Sequence, residues 1–380
     1  MTDPSQESAW CEIALPQLAR NLHHARDLLP GQTRLCVVVK GDAYGHGIEN
    51  VAPVLMAQGV DHIGIASNPE ARALRAAGFK GTVLRLRTAT PQEVQQARGY
   101  DVEEMVGSLA GLGALISALG RDGLPRLHIS LNADGMSRDG LELSCVAGRH
   151  ACQQIVRQAE TRIVGLCTHF PSNQPGDLAQ SIARFQRDLS WTFDNTPLDR
   201  ASVLVHAGST LTLASGQDPQ VDMMRCGAIL YGIAGPGPQF GTTLTLKSRV
   251  ISIGGYPKGS TIGYDRTTTL EQDRVLASVA LGYANGYCRQ LSGRGSVLIR
   301  GETAPVMGKV SMNTIVADVT GLNEVAIGDE VVVYGAQGPQ EISTHMIEGL
   351  TGRIMADLFT DWGQRNPRLI HIEDVSCTSD

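Results

Sequence analysis

A repeated unit constrains this 380-residue chain more than any single motif does. Eight times in its first two thirds, a short run rich in β-branched residues gives way to a loop with Gly, Asn or Ser and then to a helical pattern. The runs are 35–40, 62–66, 83–87, 102–107, 126–132, 163–169, 203–208 and 227–231. Between them, Asn68-Pro69-Glu70 offers a helix N-cap, a proline at the first helical position and an early acid, and Gly78 can close that helix. Pro91-Gln92-Glu93 opens another in the same way. Strands alternating with helices pair in parallel through crossovers, and eight such units suit a closed (β/α)8 TIM-like barrel better than an open sheet. The predicted fold class is therefore α/β.

The flanks have a different texture. Residues 10–14 read as a strand, and Pro16 begins a helix with Leu18, Leu22, Ala25 and Leu29 at helical spacing. After about Gly241, short runs at 250–253, 275–280, 296–299, 314–319 and 330–334 are separated by turns such as Tyr256-Pro257-Lys258-Gly259. They predict an all-β C-terminal domain. The domain reading is 1–14 as a strand packing with the C-terminal domain, 15–240 as the barrel and 241–380 as the β domain, with 235–241 as linker.

Composition excludes several functions. A net charge of −6 with no Lys/Arg cluster argues against a nucleic-acid partner. No apolar run approaches the length of about 18 residues that a membrane span needs. Residues 1–10 lack an apolar signal core, which favours a cytoplasmic protein. The cysteines, Cys11, Cys36, Cys145, Cys152, Cys167, Cys226, Cys288 and Cys377, show no CxxC pair and no zinc-like spacing with histidine. Most read as small buried hydrophobes in a reducing compartment, and no metal site is expected.

Barrel enzymes place their chemistry where strands end in loops. Lys40 ends the first run, in Val37-Val38-Val39-Lys40-Gly41-Asp42-Ala43-Tyr44-Gly45-His46-Gly47. After three valines its ammonium either snorkels to water or sits in the barrel mouth with a lowered pKa, as a Schiff-base lysine requires. The three glycines permit a tight turn over a ligand.

The stretch from Lys40 to Gly47 resembles the cofactor-lysine signature of alanine racemases. The resemblance continues in order through Gly135-Met136-Ser137-Arg138, Thr168-His169-Phe170, Met224-Arg225-Cys226-Gly227 with Tyr231-Gly232, Gly263-Tyr264-Asp265, Gly282-Tyr283 and Val310-Ser311-Met312-Asn313. It implies a pyridoxal-phosphate barrel followed by a β domain, acting as a head-to-tail homodimer with shared active sites. It further implies that Lys40 forms an imine with the cofactor and serves as one acid/base. Tyr264, supplied by the partner subunit, matches the other. A free phenol titrates near 10, so cationic neighbours must make Tyr264 effective; His169 and Arg138 are candidates, although strand-end His and Arg also satisfy carbonyls or form ion pairs. Arg225 matches the arginine that faces the pyridine nitrogen, where it weakens the electron sink and favours reprotonation over transamination or decarboxylation. For the phosphate, the implied ligands are the backbone N–H groups of Gly227 and Ala228, the Tyr44 phenol, and the hydroxyl of Ser209 or Thr210. Arg138, Tyr283, Met312 and Asn313 are the implied substrate contacts.

Within the family the chain is most similar to broad-specificity amino-acid racemases, through Ile65-Ala66-Ser67-Asn68-Pro69-Glu70-Ala71-Arg72 and Leu131-Asn132-Ala133 among other stretches. Alanine racemases usually carry a lysine ahead of the arginine matched by Arg138, and an aspartate where Asn313 stands. Losing that acid lets longer or basic side chains approach. Asp139 and Ala356 depart from the subgroup, which implies a narrower or shifted range. The subgroup's members are typically exported with a disulfide; here Cys36 matches one half-cystine and His62 takes the other's place. Two rivals share the cofactor: a barrel amino-acid decarboxylase, which pairs an acid rather than Arg225 with the pyridine nitrogen, and a non-enzymatic pyridoxal-phosphate carrier, which lacks the β domain and Tyr264.

Overall fold

The computed structural model describes residues 6–372, so Cys377 and the end of the 241–380 segment lie outside the described residues. The first strand is β1 (Ala9–Ala14). The next eight form a closed parallel barrel: β2 (Arg34–Val38), β3 (His62–Ile65), β4 (Thr82–Thr88), β5 (Val102–Val106), β6 (Leu127–Ser130), β7 (Ile163–Cys167), β8 (Leu204–Ala207) and β9 (Met223–Cys226), with β9 pairing back to β2. Seven of the eight predicted runs coincide with strands, each of which holds a β-branched residue, although β4 and β5 also carry Arg85, Glu103 and Glu104.

The eighth run is corrected. Met223–Cys226 is a true strand that its four residues, none of them β-branched, did not announce. Residues 227–231 instead form a turn, with the Leu230 N–H donating to Gly227 O at 2.8 Å. Ile229, Leu230 and Tyr231 are fully buried there, and the Tyr231 hydroxyl donates to Val38 O at 3.2 Å. They looked like strand because burial, not extension, selected them. The helix start at Asn68 shifts by one residue, because Ser67 is the N-cap of Asn68–Ala76 and Glu70 accepts its N–H at 3.0 Å.

Beyond residue 240 the strands are β10 (Leu244–Tyr256), β11 (Thr261–Ile262), β12 (Thr268–Thr269), β13 (Arg274–Val279), β14 (Ser296–Ile299), β15 (Glu302–Met307), β16 (Ile315–Asp318), β17 (Glu330–Gln337), β18 (Gln340–Ile342) and β19 (Arg368–His371). Except for the β11/β12 pair they share one sheet with β1, in the order β18-β17-β14-β15-β16-β13-β10-β1-β19, and β17 also pairs with β10. β1 lies antiparallel to β10 and parallel to β19.

The expectation of an all-β domain is corrected to a mostly β one by helices Thr344–Thr351 and Met355–Arg365. Their signals were in the sequence. Ser343 caps the first, Gly352 ends it with φ 69°, and Met355, Leu358, Phe359 and Trp362 give the second a buried stripe at helical spacing.

Two compact units result: Met1–Leu18 with Tyr44–Asn50 and Gly241–Asp380, and Ala19–Ala43 with Val51–Phe240. Tyr44–Asn50 belongs to the first because its backbone is locked there. A Cβ on Gly45 would stand 2.1 Å from Phe359 O, one on Gly363 would stand 1.9 Å from Gly45 O, and the His46 and Thr243 side chains bond at 2.7 Å.

Candidate active site

Lys40 follows directly on β2, where the buried Val39 donates its N–H to Gly64 O at 2.9 Å. From Gly41 to Tyr44 the backbone then turns left-handed, with φ of 66°, 55°, 55° and 53°, and Gly45 follows at 84°. Only Gly41 and Gly45 adopt this conformation freely; Asp42, Ala43 and Tyr44 each resist it by about 1–2 kcal/mol. The Ala43 N–H donates to Val39 O at 2.7 Å, which closes the turn.

Glu70 pins the turn from outside. Its carboxylate accepts the N–H groups of Gly41 at 2.8 Å, Ala66 at 2.7 Å and Ser67 at 3.0 Å. Sequence reading saw in Glu70 only an early acid of the helix, because the contact with Gly41 depends on β2 and β3 lying side by side. Glu70→Ala leaves three N–H groups without their acceptor and is expected to lower stability by about 2 kcal/mol or more, measurable as a shift in the urea midpoint.

Four basic groups converge at this end of the barrel. The Lys40 ammonium is pushed below the ordinary lysine range by partial desolvation first, then by Arg138 and Arg225, with Glu70 opposing. Arg225, on β9, is buried and donates through NH1 to His206 Nδ1 at 2.8 Å and through NH2 to Thr168 O at 2.7 Å. His169 stands just beyond β7. Desolvation, then Arg225, Arg138 and Lys40, lower its pKa to about 4 from the usual 6.5.

His169 is therefore neutral under ordinary conditions. The unfolded chain takes up a proton near pH 6.5 that the folded state refuses until about 4, so stability falls as the pH drops through that window. Histidine NMR should show no protonation of His169 between pH ~5 and ~8.

Arg138 sits in a loop shaped by Asn132, whose Oδ1 accepts the Ser137 N–H at 2.7 Å. Ser209 precedes the short helix Thr210–Ala214. Thr210 is buried and its Oγ1 accepts the Ile229 N–H at 3.2 Å, just past Gly227 and Ala228. That hydroxyl keeps its own O–H to donate.

In the other unit the structure brings Tyr283, Met312 and Asn313 together: the Tyr283 N–H donates to Ser311 O at 3.1 Å and the Ala284 N–H to Met312 O at 2.9 Å. The same loop approaches Gly263, which would place a Cβ 3.3 Å from Lys309 N, and Lys309 pairs with Asp265 beside Tyr264. Tyr264 and Met312 are 68% and 55% exposed and Tyr283 is 38% exposed, an apolar set unusual for a surface facing only water. Tyr44, nearly buried, lies in this unit too.

Chemically, the barrel mouth offers a depressed amine, two guanidinium groups and a neutral imidazole. That donor set fits a ligand carrying a phosphate and an electrophilic carbonyl, together with a carboxylate-bearing substrate. Among the described residues no group of His, Cys, Asp and Glu is arranged to hold a metal ion, and no helix is long and apolar enough to cross a membrane.

Known proteins are similar over nearly the full chain. Residues 13–235 match the family described as alanine racemase, N-terminal domain, and residues 243–370 its C-terminal domain. The chain is 40% identical to a broad specificity amino-acid racemase of Pseudomonas putida, over 96% of this chain and 89% of that protein. It is 38% identical to a lysine racemase of Proteus mirabilis, with the same coverage. The structure of an alanine racemase from Streptomyces coelicolor A3(2) superposes with a TM-score of 0.87 at 26% identity, covering 97% of this chain and 99% of that one.

Proposed function

The chain belongs to the alanine racemase family, and from that premise we propose that it inverts the α-carbon of free amino acids with Lys40 and Tyr264 as its two acid/base groups. The convergence of Lys40, Arg138, His169 and Arg225 carries this reading, since those residues fit pyridoxal phosphate. When bound, that cofactor supplies the electron sink that acidifies the substrate's Cα–H.

Lys40 would hold the cofactor through its amine and, once that amine is free, would take or return a proton on one face of the substrate's α-carbon. Tyr264 of the partner subunit does the same on the opposite face. Arg225 would face the cofactor's ring nitrogen and, as a guanidinium, would not give that nitrogen a proton, which would favour return of the α-proton over decarboxylation or transamination. The N–H groups of Gly227 and Ala228, with the hydroxyl of Ser209 or Thr210, would hold the cofactor's phosphate. Either hydroxyl can serve, because Thr210 Oγ1 only accepts the Ile229 N–H and keeps its own O–H to donate. Neutral His169 lies close to the cations without adding charge.

A homodimer completes the site. The exposed Tyr264, Tyr283 and Met312, with Asn313 beside them, form the face that a second copy would cover. Asn313 and the absence of an acid there favour longer or basic side chains alongside alanine, in keeping with the relatives' named substrates. The seven free cysteines among the described residues suit a reducing, cytoplasmic setting.

The test is to incubate the cofactor-loaded protein with single-enantiomer alanine, lysine, arginine, methionine and leucine and to separate enantiomers by chiral chromatography. Approach to an equal mixture from both sides is expected. Release of carbon dioxide without the opposite enantiomer would overturn the racemase reading.

A further inference from the structure

The barrel's interior holds a line of polar side chains that the reaction above does not use. Arg225 NH1 contacts His206 Nδ1 at 2.8 Å, His206 Nε2 contacts His128 Nδ1 at 2.9 Å, and His128 Nε2 contacts Glu103 Oε2 at 2.8 Å. Glu103 also accepts from Arg126 Nε at 2.6 Å, and Arg126 pairs with the exposed Asp101 at 3.1 Å. The line therefore runs from the mouth, strand by strand, to the surface beside the start of β5. Both imidazoles are fully buried, and their rings meet edge-on with centroids 4.9 Å apart.

Donor and acceptor chemistry fixes every proton in this line. A guanidinium can only donate, so His206 Nδ1 must present a lone pair and its proton sits on Nε2. That N–H must be accepted by His128 Nδ1, which places the second ring's proton on Nε2, pointing at Glu103. A further proton on either ring would set two N–H groups face to face, so both imidazoles stay neutral. Burial first, then Arg225, lowers the His206 pKa in the same direction. The backbone makes room for the arrangement: a Cβ on Gly165, the register partner of His128, would lie 1.9 Å from His128 Nδ1.

We propose that Glu103, His128 and His206 are positioning residues for the racemase reaction, forming a one-way hydrogen-bond line that orients the Arg225 guanidinium toward the cofactor. This rests on the reading that Arg225 faces the pyridine nitrogen. The physical logic is separation of charge. Arg225 sits among Lys40 and Arg138 and needs a compensating anion, yet a carboxylate beside it would offer the pyridine nitrogen an acid. Two neutral imidazoles keep the anion at a distance while still fixing the guanidinium's direction.

Histidine side-chain 15N NMR on the cofactor-loaded protein between pH ~6 and ~8 is expected to show both rings as neutral Nε2–H tautomers. An Nδ1–H tautomer or an imidazolium at either position would overturn the line. Glu103→Ala is expected to mix the His128 tautomers and lower kcat by about 10- to 100-fold with little change in KM, the size of loss that outer-shell partners typically produce. Glu103→Gln, which keeps an acceptor oxygen, should recover most of both. Unchanged turnover in Glu103→Ala, or no recovery in Glu103→Gln, overturns the positioning role. If Glu103→Ala does not fold, Glu103→Gln is compared with the unaltered protein, and a loss beyond about 10-fold overturns it. Arg225→Lys separates the premise from the proposal: an unaltered absorbance spectrum of the bound cofactor would refute the placement of Arg225 and leave the tautomer result standing.

Discussion

Lys40→Ala and Tyr264→Phe are expected to fail in different ways. On the proposed roles, removing Lys40 should take away both the covalent hold on the cofactor and one acid/base group. Racemisation should fall by about 10^3-fold or more in both directions, the range that a positioned proton-transfer group together with a nucleophile supplies. Borohydride should then fix no cofactor to the chain. Tyr264→Phe keeps the cofactor and the apolar ring but deletes the phenol. Interconversion should fall by about 10^2- to 10^4-fold, while exchange of the α-hydrogen with deuterated water persists for one enantiomer only. Mass spectrometry of each recovered enantiomer reads this directly. Equal exchange from both enantiomers would remove Tyr264 from the reaction.

Arg85→Leu is expected to cost about 3–5 kcal/mol of stability, the usual penalty for breaking a buried ion pair from one side. Arg85 on β4 is fully buried and binds Glu104 on β5 through two contacts, at 2.7 and 3.0 Å, with a third to Asn68 at 2.6 Å. Its loss strands a carboxylate that is 1% exposed. Burial already outweighs Arg85 and holds the Glu104 carboxyl above its usual range. Removing the guanidinium raises it further, so the folded variant prefers a neutral carboxyl. Its deficit should be largest at neutral or higher pH and should shrink as the pH falls toward that raised value. The double variant Arg85→Leu with Glu104→Leu should recover most of the loss. Urea midpoints of the two variants at two pH values decide the matter.

The barrel was largely legible because its strands are short runs with β-branched residues, and β4 and β5 stayed legible even with Arg85, Glu103 and Glu104 in them. β9 was missed because Met223–Cys226 is four residues long and holds no β-branched residue, while the buried Ile229, Leu230 and Tyr231 just beyond it looked more like a strand. The two C-terminal helices were legible in principle from the Ser343 and Gly352 signals and the Met355 to Trp362 stripe, yet the surrounding strand pattern masked them. At the site, Lys40 announced itself because a strand-end lysine after three valines is chemically odd. Glu70, His128, His206 and Glu103 did not. Each looks ordinary in its own segment, and its importance arises only from which strands the barrel places side by side. The left-handed backbone of Asp42, Ala43 and Tyr44 was hidden for a related reason: the neighbouring glycines announced a turn, but not that three residues with side chains would bear it.

The placement of β1 between β10 and β19 has a consequence for biosynthesis. The strand leaves the ribosome well before its antiparallel partner, which follows only after some 230 further residues, roughly 10–50 s later at ordinary elongation rates. Its parallel partner is later still. During that interval Trp10, Cys11 and Ile13, all buried in the finished protein, have no sheet to join. The barrel, built from sequential neighbours, can assemble as it emerges, whereas the sheet that holds β1 must wait until β10 and then β19 have been made.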